Sequence, residues 1–199
     1  MSGADVAAIT AIVAGVICVA LILILHFVEP GYDPSWRMIS EYSVGRHGWI
    51  MRIAFIAMGI SAAAIGVALW PFGGVWTIGL VIVAAGALSA AFVDADPITT
   101  SRAEATRVGR AHTVLGSLLL VGFPIAALLA GVGSAGRLGW TLALASVVPW
   151  ATLLWFLRVS AAWHGQGGSP DVRVGWPDRA CVVAYLAWVM LAAASVLSA

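Results

Sequence analysis

Six continuous apolar stretches run along the chain, at 6–28, 49–70, 75–93, 113–131, 138–157 and 180–197. Each approaches the roughly 20 residues that an α-helix needs to cross a bilayer core of about 30 Å. None alternates apolar and polar positions as a barrel strand does. In hydrocarbon every backbone amide must bond within its own element, so the runs predict helices. The expected fold is all-α, an integral membrane bundle of six transmembrane helices that makes a single domain of residues 1–199.

The polar breaks between the runs alternate in length. Connections 71–74 and 132–137 are short, whereas 29–48, 94–112 and 158–179 are long. Successive connections of a spanning chain lie on opposite sides, so the three long ones share one face, here the loop face. Both termini share the other, the bare face. The short connections predict that helices two and three, and helices four and five, are adjacent antiparallel hairpins. Aromatic residues fit this layout: Trp70, Trp76 and Trp140 fall at bare-face ends, and Trp36, Trp49, Trp163 and Trp176 near loop-face ends. Pro124 and Pro149 lie inside helices four and five, where each removes a backbone donor and is expected to kink its helix. Pro177 and Asp178 suit the start of the last helix.

Composition narrows the class. Of the residues, 62% are apolar and 10% charged, a balance that a water-exposed surface cannot accommodate. The net charge of +1 gives no footprint for nucleic acid, and every basic residue is arginine. Arg37, Arg46, Arg52, Arg102, Arg107, Arg110, Arg158, Arg173 and Arg179 fall on the loop face, against Arg137 alone on the other. The positive-inside rule makes the loop face cytoplasmic and puts both termini outside, in a multi-pass protein of the cell membrane. The opening MSGAD lacks the positive segment of a cleavable leader, so the first run is expected to be retained as a span. Cys18 and Cys181 lie in apolar runs without CxxC spacing, which reads as packing.

The chemistry-bearing residues gather on one side. His26, His47, His112 and His164 all fall at or beyond the loop-face ends of helices, with Glu29, Asp33, Glu41, Asp94, Asp96, Glu104, Asp171 and Asp178. Water-facing loops are where a membrane protein can keep polar groups hydrated, which by itself accounts for much of this clustering. Some members ask for more. His26 and Glu29 are three apart on one helical face and could bond each other. Asp94 stands at the hydrocarbon boundary, where a charge needs a partner, and Arg110 or His112 is the expected one. No metal site is expected: HExxH, paired histidines at helical spacing and cysteine ligands are all missing. Neither a GxSxG elbow nor a phosphate-binding glycine loop occurs, and HGQGGSP reads as a flexible connection. Paired transmembrane haems would want histidines at both membrane levels, and these occupy one.

The string HFVEPGYDPSWRMISEYSVGRHGWIMRIAFIAMG resembles the opening of a large prokaryotic membrane family, domain of unknown function 998. An Asp-Pro element and an Ile-Ser-Glu element precede a glycine and the second helix there, matched here by Asp33, Pro34, Ile39, Ser40, Glu41 and Gly45. FVDADP, the stretch from Gly109 to His112, and GWPDR resemble its later elements, so the likeness spans nearly the whole chain. One departure is Asp178, where the family pattern leads one to expect Glu or Gln beside the arginine. A fainter likeness to eukaryotic lysosomal and lipid-remodelling membrane proteins leans toward lipids. The resemblance implies six helices and membrane residence, and assigns no reaction or cofactor.

Three readings follow. In the first, Asp33, Ser40, Glu41, Asp94, Asp96 and His112, with Arg110 and Arg179 as ligand-binding arginines, form an interfacial site that binds or modifies a lipid or other amphiphile. In the second, a non-catalytic partner or assembly protein, the same residues pin the three long loops together. A transporter ranks last, because ionisable groups are missing near the midplane. The sharpest expectation is that Glu41, Asp94 or Asp96, His112 and Arg179 converge into one hydrogen-bonded cluster beneath the first long loop.

Overall fold

The computed structural model describes residues 1–163 and 167–199; His164, with the Gly165 and Gln166 of the third long loop, lies outside the described residues, as does the side chain of Trp163. Helices α1 (Gly3–Val28), α2 (Gly48–Gly73), α3 (Ile78–Ala90) and α4 (Arg107–Gly133) are followed by α5 (Gly136–Ala145), α6 (Val147–Ser160) and α7 (Gly175–Leu197). Helices α5 and α6 are two halves of one broken span, so the chain makes six crossings and is a multi-pass membrane protein. Among the described residues there is no strand.

The helices extend past the apolar runs wherever polar residues can close their ends. Ser2 caps α1 reciprocally with Asp5, which moves the start back to Gly3. Thr106 caps α4, adding more than a turn, with Arg107, Arg110 and His112, ahead of Thr113. Helix α3 stops short, at Ala90.

Helix α1 packs on α2 and α7, α2 on α3, α3 on α4, α4 on α5, and α6 on α7, so the expected hairpins α2–α3 and α4–α5 are both present. Helices α2 and α7 also meet, which puts them at the centre. Ser61 on α2 ties the first pair together by donating to the Ala11 carbonyl of α1 at 2.8 Å.

Pro124 leaves a carbonyl that another helix bonds. A proline at position 124 cannot donate to the carbonyl of Leu120, and α4 nevertheless runs through it. Tyr185 of α7 donates its hydroxyl to that carbonyl at 2.7 Å, and its ring stacks on Phe123. The break between α5 and α6 falls at Ser146, three residues before Pro149. There Ser146 donates its hydroxyl to the Ala143 carbonyl, and Trp188 of α7 donates to Leu142 at 3.1 Å. Helix α7 thus supplies the donor that Pro124 cannot, and adds a second donor to a carbonyl at the break.

At the bare end the two short turns lie side by side, Gly73 against Ser134 and Gly133 against Trp76. Gly139 of α5 faces the Ser134 carbonyl so closely that a Cβ there would collide with backbone.

Candidate functional site

The three long connections meet at the other end and are stitched through backbone groups. Ile98, in the second loop, donates its N–H to Glu41 of the first at 2.9 Å and accepts from Gly168 of the third at 2.7 Å. Gly175, at the start of α7, donates to the Ser35 carbonyl at 3.2 Å. One residue, Ile98, therefore bonds both neighbouring loops.

Glu41 lies in the short 3-10 helix Ile39–Val44 and is 2% exposed. Its carboxylate accepts from Arg37 at 2.6 Å, from the Met38 N–H at 3.0 Å and from the Ile98 N–H. A carboxylate so deep must be compensated on several lone pairs, and three donors do that. The Arg37 guanidinium also lies over the rings of Trp36 and Tyr32, 4.5 and 5.4 Å from their centroids.

Arg179, one turn into α7, is 6% exposed. Its Nε donates to His26 Nε2 at 2.8 Å, one terminal nitrogen to the Arg37 and Gly175 carbonyls at 2.7 and 3.1 Å, and the other to the Tyr42 hydroxyl at 3.2 Å. His26 Nδ1 meets the Ile22 carbonyl at 2.7 Å, so that nitrogen carries the hydrogen and Nε2 keeps the lone pair that Arg179 uses. The adjacent Asp178, also buried, accepts the Ile39 N–H at 2.7 Å. The end of α1, the first loop and the start of α7 are thereby locked together. Glu29, buried beside Gly45, accepts from both the backbone and the ring of His47.

A second group fastens α2, α3 and α4. Arg52 bonds the Ala91 carbonyl at 3.0 Å and Asp94 at 2.6 Å, placing a cation at the C-terminal end of α3 where the helix dipole favours one. Asp96 accepts from the N–H and hydroxyl of Thr106, both at 2.8 Å, while Thr106 accepts from Gly109 at 2.9 Å. Gly109 is required there, because a Cβ would occupy the place of the Asp96 carboxylate. His112 Nδ1 donates to the Val93 carbonyl at 2.6 Å with its ring edge-on to Phe55.

The single cluster expected from the sequence is therefore corrected. Glu41 and Arg179 belong to the first group, Asp94, Asp96 and His112 to the second, and the second loop joins the two through Ile98. Asp94 takes Arg52 rather than Arg110 or His112, since Arg110 bonds the Ala105 carbonyl in its own loop and His112 reaches Val93. His26 and Glu29 do not bond each other, because one is held by Arg179 and the other by His47. Asp33 is exposed, and the Ser35 N–H donating to it at 2.8 Å holds its carboxyl below the usual range. Ser40 is half-buried and Arg110 exposed.

Sequence reasoning passed over Arg37, Tyr42, Arg52 and Thr106 as site members. The spacing of four between Arg37 and Glu41, and a threonine just ahead of a helix, were the available signals. Among the described residues no group of three or more His, Cys, Asp and Glu side chains is arranged to hold a metal ion. A cavity of about 240 Å³ at the bare end, bounded by Gly131, Ser134, Gly139 and Trp140, is lined by none of the candidate residues.

With this geometry in view, the comparisons with known proteins give one result. Residues 12–195 match the model of a protein family of unknown function, DUF998, and the chain belongs to that family. No curated protein and no solved structure matches.

Proposed function

We propose that this family member is a non-catalytic membrane protein whose loop face is a fastened cap, holding the helices in register and offering a fixed surface to a protein partner. One observation carries the reading: Arg179 spends four donor contacts, and Glu41 accepts three, on neighbouring parts of the same chain. Side chains committed in this way hold loops and have little left to hold or protonate a substrate. The excess of nine loop-face arginines over one supports a cytoplasmic cap in the cell membrane, with both termini outside. A reporter enzyme that works only in the cytoplasm, fused after Ala199, should then be inactive; activity would reverse the orientation.

The deciding experiment is Arg179→Ala, followed by thermal unfolding in detergent and by mass spectrometry of copurified lipid. A cap predicts a marked loss of stability, because His26 and two carbonyls lose a buried cation's donors and each buried acceptor left unsatisfied costs about 1 to 3 kcal/mol. It also predicts an unchanged lipid complement. Loss of bound lipid at nearly native stability would sink the reading.

A second reading, an amphiphile site at headgroup depth using Asp33, Ser40, Glu41 and Arg110, is favoured by a different observation. Arg37 Nε and Ser43 Oγ are buried with no hydrogen-bond partner among the described residues, and a bound headgroup would satisfy them. Copurified lipid that is lost in Ser43→Val would support it.

A further inference from the structure

Folding sorts the loop-face charges in a way that counting residues does not reveal. The sequence puts nine arginines and eight carboxylates there, close to neutrality. In the structure Glu29, Glu41 and Asp178 are buried, while Asp94 and Asp96 are bonded to Arg52 and Thr106. The exposed carboxylates are Asp33, Glu104 and Asp171. Against them stand six exposed arginines: Arg46, Arg102, Arg107, Arg110, Arg158 and Arg173.

Most of these arginines also sit at helix ends. Arg46 lies just before α2, Arg107 and Arg110 in the first turns of α4, Arg158 in the last turn of α6, and Arg173 just before α7. These are the levels at which helices leave hydrocarbon for headgroups, and exposed Trp49 and Trp176 mark two of the same ends. The exposed carboxylates are fewer, and Asp33 lies near enough to Arg173 to feel its charge, which still leaves the belt in arginine excess. Arg107 and Arg110 also sit against the dipole of α4, with no acidic residue in its first turn, a placement that an overlying anion relieves.

We infer that this arginine belt is an interaction surface for anionic phospholipids, and that the protein gathers them around the loop-face ends of α2, α4, α6 and α7. Guanidinium groups match phosphate geometry by paired hydrogen bonds, and basic residues at the edge of a membrane attract acidic lipid additively. The inference is independent of what the cap does, since among the described residues none of these six arginines is hydrogen-bonded from one loop to another.

The test is the full chain reconstituted into phosphatidylcholine bilayers carrying either spin-labelled phosphatidylglycerol or spin-labelled phosphatidylcholine, with lipid association read by electron spin resonance. The native protein should show a several-fold preference for phosphatidylglycerol that collapses toward parity in molar salt. The variant R46Q/R107Q/R158Q/R173Q, which leaves the Arg110 contact intact, should lose most of the preference, and R137Q should keep it. The salt titration uses the native chain, so the result does not depend on the variant folding. Equal association of the two lipids with the native protein, or a preference that survives both salt and the fourfold variant, would overturn the inference and leave these arginines to an acidic protein surface.

Discussion

The two ends of the bundle are closed by different physics. At the loop face, long connections are held at a distance by charged side chains that reach across and bond backbone groups, as Glu41 bonds Ile98 and Arg179 bonds Arg37. At the bare face, short turns are held by proximity, with Gly139 set against the Ser134 carbonyl and Gly133 against Trp76. One end therefore depends on matched charge and the other on missing volume. A membrane protein can place its expensive polar fastenings only where loops are long enough to bring partners together.

Substitutions can separate the two mechanisms. The largest effect is expected for Glu41→Ala, which strips Arg37 of its carboxylate and leaves the Ile98 and Met38 N–H groups open. Breaking such a pair costs about 3 to 5 kcal/mol, measurable as a fall in Tm in detergent. Cross-linking between the first and second loops should fail in the same variant. Next comes Gly139→Val, which removes no charge and adds only bulk; overpacking of this kind costs about 1 to 3 kcal/mol. Its unfolding should be insensitive to salt. If Glu41→Ala proved the milder of the two, charge matching would not be what closes the loop end.

A smaller change is expected in the middle of the bundle, where neither mechanism acts. Tyr185→Phe leaves the Leu120 carbonyl without its donor and should cost about 1 kcal/mol, the usual range for an interhelical hydrogen bond in membranes. A loss as large as that of Glu41→Ala would mean that Pro124 strains α4 and that Tyr185 relieves it. The smallest effect belongs to Asp33. Its carboxyl sits below the ordinary range because Ser35 donates to it, so whatever stability it lends is present above the ordinary carboxylate pKa of about 4 and is lost as pH falls through the lower folded value. Because the group is exposed, Asp33→Asn should leave Tm at neutral pH unchanged within error, and a titration by NMR should place the carboxyl below a model aspartate.

The spans and their hairpins were legible because hydrocarbon leaves a strong mark: continuous apolar runs and turns too short to reach a distant helix. The ends were less so. Helix α4 begins at Arg107 rather than near Thr113, since Thr106 and Asp96 can hold polar turns in helical form outside the apolar run. The break at Ser146 was half visible in Pro149. For the polar residues, the sequence revealed the side of the membrane but not the partners. Arg179 and His26 are 153 residues apart, and their meeting depends on α1 packing against α7, which no periodicity encodes. Asp94 met Arg52 for a similar reason, through the contact of α2 with α3. Arg37 with Glu41, by contrast, lay within one local spacing, and there the pairing could have been read.

The lock between Arg179 and the first loop also sets an order of assembly. When the first four helices have been threaded into the bilayer, Glu41 can already collect Arg37 and Ile98. The Arg37 carbonyl, the Ile39 N–H and the lone pair of His26 still have nothing to bond, because their partners Asp178 and Arg179 belong to the last span. The first loop to be synthesised is thus completed only by the last span.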